Sequence, residues 1–381
     1  MNKNSIPTDI VFEIFWRLPS NSIARCRCVS RLWRSMLRRP YFTELFLKKS
    51  LSCPRLLFAL QARQGVRRAA DFHMKLPGDM YPNIWGYTSG LMWHSKDGRA
   101  HVICNPSTGQ CASLPKLRII PTNSRSFLGF DPIDKQFKVL LLAPYYYPCI
   151  VTLGTGEMKW RTIGCSLPYY PFSEGICING VLYYLGSHRI TQSSVLVWFD
   201  VKSEKFKFID VQSFCKRHTT LINYKGKLGG VDLDYVHVDG VSHNLELCMW
   251  VLEDVEKKEF SKHAYTLIDS KLAYLDVSIV GGTPTGEIVL STSYHARGAF
   301  CVFYFNPESD TLHSVEFRCK QEALAFCSNR VYVFLDHVED LKFNVIKTTS
   351  AATSSEARMQ KDRGTFESIN KFDALCLNDD E

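Results

Sequence analysis

The sequence predicts an α plus all-β, multidomain chain: a three-helix unit at the N-terminus, then a repeated β-domain that reads as a β-propeller of about six blades. Three observations predict it. Helical apolar spacing marks three short N-terminal helices that end at Pro40, and the helical pattern is gone from about residue 85. From about residue 85, short apolar runs alternate with Gly, Pro and Asn turns, as in an all-β domain. That alternation returns with a nearly constant period, which propeller blades require and a β-sandwich does not.

Ile6-Pro7-Thr8-Asp9 opens the first helix, with Thr8 or Asp9 as its cap and Asp9 at the positive end of its dipole. Ile10, Val11, Ile14, Phe15 and Leu18 then form one apolar stripe, and Pro19 stops it. Ser20-Asn21-Ser22 caps a second helix over residues 23–29, and a third runs over 31–37 until Pro40 ends the set. Ile23, Val29, Leu32, Trp33, Met36 and Leu37 supply the apolar contacts. So short a unit makes little core, and its apolar face is expected to need a partner or the next domain.

The run Ile6-Pro7-Thr8-Asp9-Ile10-Val11-Phe12-Glu13-Ile14-Phe15-Trp16-Arg17-Leu18-Pro19 resembles the opening of an F-box. Its second half resembles Ser22-Ile23-Ala24-Arg25-Cys26-Arg27-Cys28-Val29-Ser30-Arg31-Leu32-Trp33-Arg34-Ser35, with Arg-Cys-Val-Ser-Arg-x-Trp at fixed spacing. The resemblance implies docking on the Skp-type adaptor of a cullin-based ubiquitin ligase, largely through apolar residues. Carried over by position, the implied adaptor contacts are Ile6, Pro7, Ile10, Ile14, Leu18, Pro19, Ile23, Val29 and Trp33. The chain departs from the usual pattern at Ile6 (commonly Leu), Asn21 (frequently Lys) and Ala24 (usually a larger apolar residue).

In the β-domain, Val102-Ile103-Cys104-Asn105, Ile150-Val151-Thr152-Leu153-Gly154, Val197-Trp198-Phe199-Asp200, Trp250-Val251-Leu252-Glu253-Asp254 and Phe303-Tyr304-Phe305-Asn306 are each a strand ending in a turn residue. The turn residues 105, 154, 200, 254 and 306 are spaced 49, 46, 54 and 52 apart. Six positions after each comes an apolar residue: Cys111, Trp160, Phe206, Phe260 and Leu312. Turn-then-strand segments fall between them at Asn179-Gly180, Lys225-Gly226, Thr285-Gly286 and Asn329-Arg330, with Phe130-Asp131-Pro132 in the earlier slot. Two hairpins per period make four strands per unit, the make-up of a propeller blade.

The units fall at about 86–117, 127–163, 174–211, 218–267, 277–317 and 322–346, and the last lacks a second hairpin. Arg55 to Leu60 and Ala70 to Met74 are expected to supply its missing strands, closing the ring from both ends and removing open edges. The expected organisation is therefore an adaptor-binding unit over 1–50, a propeller over 55–346 and a flexible tail over 347–381, rich in Ser, Thr, Ala and charge near its start. Leu153 to Arg161, Tyr224 to Leu228, Trp250 to Asp254 and Thr285 to Leu290 are similar to the domain that follows the F-box in a large plant family, where it is taken to hold the substrate.

Net charge is +8 over 381 residues, yet residues 1–80 alone hold 15 Lys/Arg against 5 Asp/Glu. The basic excess is thus local. It fits an acidic partner, nucleic acid or a solvated face, but no aromatics interleave with the arginines as base stacking would need. No apolar stretch is long enough for a membrane helix, and Glu13, Arg17 and Pro19 interrupt what a signal peptide would need. The 14 Cys are scattered without C-x-x-C, which predicts free thiols in a reducing, intracellular compartment, whether nuclear, cytoplasmic or both.

Catalytic and ligand motifs are missing. Gly281 to Gly286 resembles half a phosphate loop, but Glu287 stands where Lys is required. Asp232, Asp234, Asp239 and Gly240 hint at a calcium loop, but Val236 and His237 occupy its fifth and sixth positions. His237 and His243 do not make a metal spacing, and no nucleophile elbow occurs. No catalytic residue, metal or cofactor is expected. Tyr145-Tyr146-Tyr147, between Pro144 and Pro148, and Tyr169-Tyr170, between Pro168 and Pro171, are expected in loops or at edges. They either bind a substrate or pack between blades.

The expected function is a non-catalytic substrate receptor of an SCF-type ubiquitin ligase. Its partners would be a Skp-type adaptor, a cullin scaffold reached through it, and a target protein the sequence does not identify. Neither a membrane nor nucleic acid is the expected partner. The alternative is a propeller that binds a small ligand or glycan, or an enzyme with an unrecognised site.

Overall fold

A computed structural model of the chain describes residues 7–62, 67–69, 84–96, 100–117, 124–154, 158–211, 216, 218–238, 242–269, 272, 275–292, 299–318 and 327–342. Ile6, the expected strand at 70–74 and the tail at 347–381 lie outside the described residues.

Four helices come first: α1 (Thr8–Phe15), α2 (Ser20–Val29), α3 (Arg31–Met36) and α4 (Pro40–Ser52). Their ends correct the expected caps. Pro7 and Pro19 take the N-cap positions of α1 and α2 without side-chain bonds, so Asp9 acts only on the dipole of α1. Ser30 is a true cap, its Oγ accepting from the Trp33 N–H at 3.1 Å. Pro40 does not end a three-helix set. It opens α4, because a first-turn Pro loses an N–H that has no helical partner and its φ already suits the helix. Phe15, Ile23, Leu37, Phe42 and Phe46 form the helical core, joined by Leu341 from the far end of the chain.

The strands are β1 (Arg55–Ala62) and β2 (Arg67–Ala69), then five blades in chain order. Blade 1 holds β3 (Ile84–Thr88), β4 (Leu91–Lys96), β5 (Ala100–Asn105) and β6 (Gln110–Ser113). Blade 2 holds β7 (Arg125–Asp131), β8 (Gln136–Leu142), β9 (Cys149–Thr152) and β10 (Arg161–Thr162). In blade 3, β11 (Tyr169–Pro171) and β12 (Ile176–Ile178) share the edge of β13 (Val181–His188), followed by β14 (Ser194–Asp200) and β15 (Lys205–Asp210). Blade 4 holds β16 (Thr220–Tyr224), β17 (Lys227–Val238), β18 (Ser242–Asp254) and β19 (Glu259–Leu267). Blade 5 holds β20 (Val277–Gly282), β21 (Ile288–Thr292), β22 (Ala299–Asn306) and β23 (Thr311–Arg318). The last strand, β24 (Cys327–His337), pairs antiparallel with β1, giving a sheet of order β2-β1-β24.

The ring is therefore five full blades closed by a three-stranded sheet drawn from both ends of the chain. Each gap between sheets is filled with apolar side chains. Leu128 and Val139 meet Trp93 and Ile103 between blades 1 and 2. Phe127 stacks on Tyr184 at 4.4 Å between blades 2 and 3. Leu196 and Ile209 meet Leu228 and Trp250 between blades 3 and 4, and Leu247 and Val251 meet Leu290 and Phe303 between blades 4 and 5. The closing sheet packs Phe58 and Val331 on Phe300 and Val302 of blade 5, and Leu57, Ala59 and Phe334 on Met92 and Tyr87 of blade 1.

The repeated turn residues explain the period. Asp200, Asp254 and Asn306 accept bonds from backbone N–H groups two or three residues on, as Asn105 does from Ser107 and Thr108. Such Asx turns stop the third strand and reverse the chain into the fourth.

Antiparallel order also fixes which loops share a face. Turns from first to second and third to fourth strands open on one face. Turns from second to third strands, and crossings between blades, open on the other. Asn105 and Gly90 lie in turns of the first kind and both touch the segment after β24. The helical unit is joined to β1 and to that segment, so it caps this first face.

One cysteine expectation is corrected. Cys104 and Cys111 stand opposite each other across β5 and β6, their Cα atoms 4.1 Å apart, and form a disulfide. The spacing that puts Cys111 six residues after Asn105 is what brings the two sulfurs together. Among the described residues, free thiols remain at Cys26, Cys28, Cys53, Cys149, Cys165, Cys177 and Cys248.

Candidate functional site

The helical surface separates the implied adaptor residues into two groups. Ile10 and Ile14, one turn apart on α1, point outward with Ile14 51% exposed. Val29, at the end of α2, is exposed too, as are Pro7 and Pro19. Leu18 is half-buried against the core. Trp33 is also half-buried, its ring set edge-on to Phe15 at 4.9 Å. Ile23 is a correction: it is 0% exposed in the centre of the helical core and offers nothing to a partner. The position-by-position reading missed Leu32, which is 65% exposed in the first turn of α3. Its signal was available, because Ser30 starts a new helix there and so resets which side faces out.

Several cations of this region are used internally. Arg27 donates to the Leu37 carbonyl at 2.7 Å, at the end of α3. Lys49 donates to the Trp16 carbonyl at 2.9 Å, at the end of α1, and lies over the Trp16 ring. Arg34 donates to the Arg27 carbonyl. Part of the local basic excess thus satisfies helix C-termini, where the dipole favours positive charge.

The second surface lies on the opposite face of the ring, where the loop at 143–148 joins β8 to β9 and the turn at 189–193 joins β13 to β14. Tyr145, Tyr146 and Tyr147 are all exposed, Tyr145 by 76%. Tyr145 and Tyr170 meet edge to face at 6.0 Å. The Arg189 guanidinium lies over both rings, 4.5 Å from the Tyr145 centroid and 5.4 Å from that of Tyr170. Hydrogen bonding to the neighbouring Tyr170 raises the Tyr145 phenol above its ordinary value. Tyr169 behaves differently. It points between blades 2 and 3, its hydroxyl bonded to that of buried Tyr184 and its ring edge-on to Phe208. Pro171 ends β11 there, and the alternation of strand side chains sends Tyr169 inward and Tyr170 outward.

Of the other segments with ligand-like sequence, Asp239, Gly240 and the side chains of His237 and His243 lie outside the described residues, and the rest have partners within the fold. Asp232 lies inside β17, where the Thr219 hydroxyl donates to it at 2.8 Å, and Asp234 pairs with Lys216. Thr283 to Gly286 is the tight turn from β20 to β21, with the Glu287 carboxylate accepting from Thr285. Among the described residues no cluster of three or more His, Cys, Asp or Glu could hold a metal, and no helix is long and apolar enough to cross a membrane.

Four helices capping a closed ring of β-sheets, with exposed apolar side chains on the helices and an aromatic patch on the far face, define a helix-capped β-propeller. Comparison with known proteins gives the family. The F-box associated beta propeller domain matches residues 45–338, and the F-box-like domain matches residues 3–48. Two similar relatives, both from Arabidopsis thaliana, are F-box protein At3g57590, 45% identical over 92% of this chain and 94% of its own length, and F-box protein At2g15640, 43% identical over 91% and 96%. The chain belongs to the F-box proteins that carry an F-box associated β-propeller domain. Among solved structures, the SapL1 lectin in complex with alpha methyl fucoside aligns at TM-score 0.39 and 10% identity over 72% of this chain and 92% of its own, too loosely to carry an argument.

Proposed function

We propose that this chain is the substrate-recognition subunit of an SCF-type, cullin-based ubiquitin ligase. The helices dock on a Skp-type adaptor, and through it on a cullin scaffold, while the propeller holds a target protein. The observation that carries this reading is the exposure of the apolar side chains Ile10, Ile14, Val29 and Leu32 on helices that cap one face of the propeller. Apolar side chains left in water on so small a unit mark a surface that another protein covers. The mechanism is proximity. Tethering a target beside the transfer machinery replaces a bimolecular encounter by an effectively intramolecular one, and the chain itself performs no covalent step.

A pull-down of the full chain on a purified Skp-type adaptor tests this. The double variant Ile14→Asp/Leu32→Asp is expected to lose at least tenfold in affinity, about 1.4 kcal/mol, while its propeller melts as in the wild type. Both positions are exposed, so the loss would report docking rather than folding. Undiminished adaptor binding by that variant would refute the reading.

A further inference from the structure

The surface formed by Tyr145, Tyr170 and Arg189 carries a more specific inference, which deepens the receptor reading and rests on it. We infer that this patch docks an extended segment of the target protein that bears an Asp or Glu carboxylate flanked by apolar residues. The first argument is charge. Among the described residues no carboxylate pairs with Arg189, and its guanidinium is held only by the two tyrosine rings. An Arg plane resting on aromatic faces keeps its N–H edge free, and that fork matches a carboxylate in two parallel bonds.

The second argument is backbone conformation. Tyr145 has φ +66°, and every other described non-glycine residue with positive φ is polar or charged. A bulky side chain in the left-handed region costs on the order of 1–3 kcal/mol. The loop bears that cost to hold a largely exposed ring against Tyr170 and beneath Arg189, which keeps the aromatic and cationic groups together at the surface. The third argument is the rim. Tyr146, Tyr147 and Ile190 are exposed around the cation and supply apolar cover for residues beside the carboxylate. Tyrosine does this at low entropic cost, having few rotatable bonds. A single guanidinium suits a monoanion. Phosphorylated segments are recognised by clusters of arginines, and among the described residues Arg189 is the one guanidinium over these rings.

The test is an array of short immobilised peptides with Glu, Gln, phosphoserine or Lys at the centre and mixtures of Leu, Phe, Tyr and Gly on either side, probed with labelled full chain. Glu-centred peptides are expected to retain at least tenfold more protein than Gln- or Lys-centred ones. Arg189→Gln should bring the Glu signal down to that of Gln, and Tyr145→Ala should weaken it severalfold. Lys207→Gln, which removes a cation over Trp198 on outer strand β15, should change nothing. Equal retention of Glu and Gln, a preference for phosphoserine, an unaltered Arg189→Gln signal, or no retention of any peptide would each overturn the inference. Melting temperatures of the variants separate lost binding from lost fold. Adaptor binding is measured on the same preparations. Failure on the array with adaptor binding intact refutes this patch alone, whereas failure of adaptor binding refutes the receptor reading.

Discussion

Ile14 and Ile23 are the same residue type in the same small unit, yet one lies half in water and the other is sealed inside. Ile23→Ala removes methylenes from the helical core and is expected to cost about 2–4 kcal/mol, whereas Ile14→Ala should stay within about 0.5 kcal/mol. Urea titration followed by the fluorescence of Trp16 and Trp33 would read both. His337, at the end of β24, gives a pH dependence of its own. It is 3% exposed, and its Nδ1 lies in hydrogen-bond contact, 2.9 Å, with the Tyr87 hydroxyl, which also accepts from the Val338 N–H. Burial, with the Arg55 charge added, lowers His337 from 6.5 to about 4. The folded chain therefore binds this proton less readily than the unfolded chain. Stability from this site is full above pH 6.5 and is lost as pH falls towards 4, roughly 3 kcal/mol in all. The melting temperature should fall between pH 7 and pH 4.5, and His337→Gln should flatten that fall. An unchanged slope in the variant would contradict the assignment.

At the scale of elements, the segment at 338–342 does the joining. The Glu339 carboxylate accepts from the Ser20 N–H at 3.3 Å and from the Ser20 hydroxyl, and lies 3.6 Å from Arg55. Its own N–H donates to the Ser50 hydroxyl at 2.7 Å. Asn105 spends its second function here, its side-chain amide donating to the Asp340 and Lys342 carbonyls at 2.9 and 3.1 Å. One stretch thus ties α2, α4, the closing sheet and blade 1 together. Glu339→Ala leaves buried donors without a partner and should cost about 2–3 kcal/mol. The expected readout is faster amide exchange across residues 8–52 with the blades unchanged; uniform exchange throughout would show that the segment does not join them. Blade 4 has a tighter constraint. A Cβ on Gly230 would sit 2.2 Å from the Trp250 indole, so Gly230→Ala must push that ring out of the gap between blades 3 and 4. The expected loss is about 1–3 kcal/mol, read as a lower melting temperature.

Across the whole molecule, the period of the turn residues made the ring legible, because an Asx turn is encoded by one residue and its near neighbours. The closure from both ends was legible for a related reason: the last unit lacked strands that only the N-terminal side could supply. Other features depended on contacts far apart in sequence. Pro40 reads as a stop until the helix after it is found to pack Phe42 and Phe46 against Phe15 and Ile23. Nothing near Glu339 announces Ser20. The inward turn of Tyr169 follows from the register of β11 on β13, which sequence does not fix. The exposed tyrosines at 145–147 were legible as a loop through their flanking prolines, but Arg189 enters only because blades 2 and 3 are neighbours. The architecture that results has two faces, helices on one and the aromatic cluster on the other, and the proposed function depends on their separation. Hydrogen exchange of the full chain, alone and saturated with a purified Skp-type adaptor, tests that most directly. Protection on α1 to α3 around Ile10, Ile14 and Leu32, with exchange at 143–148 and 189–193 unchanged, is the predicted result. Protection of the tyrosine-bearing loops by the adaptor, or none on the helices, would contradict it.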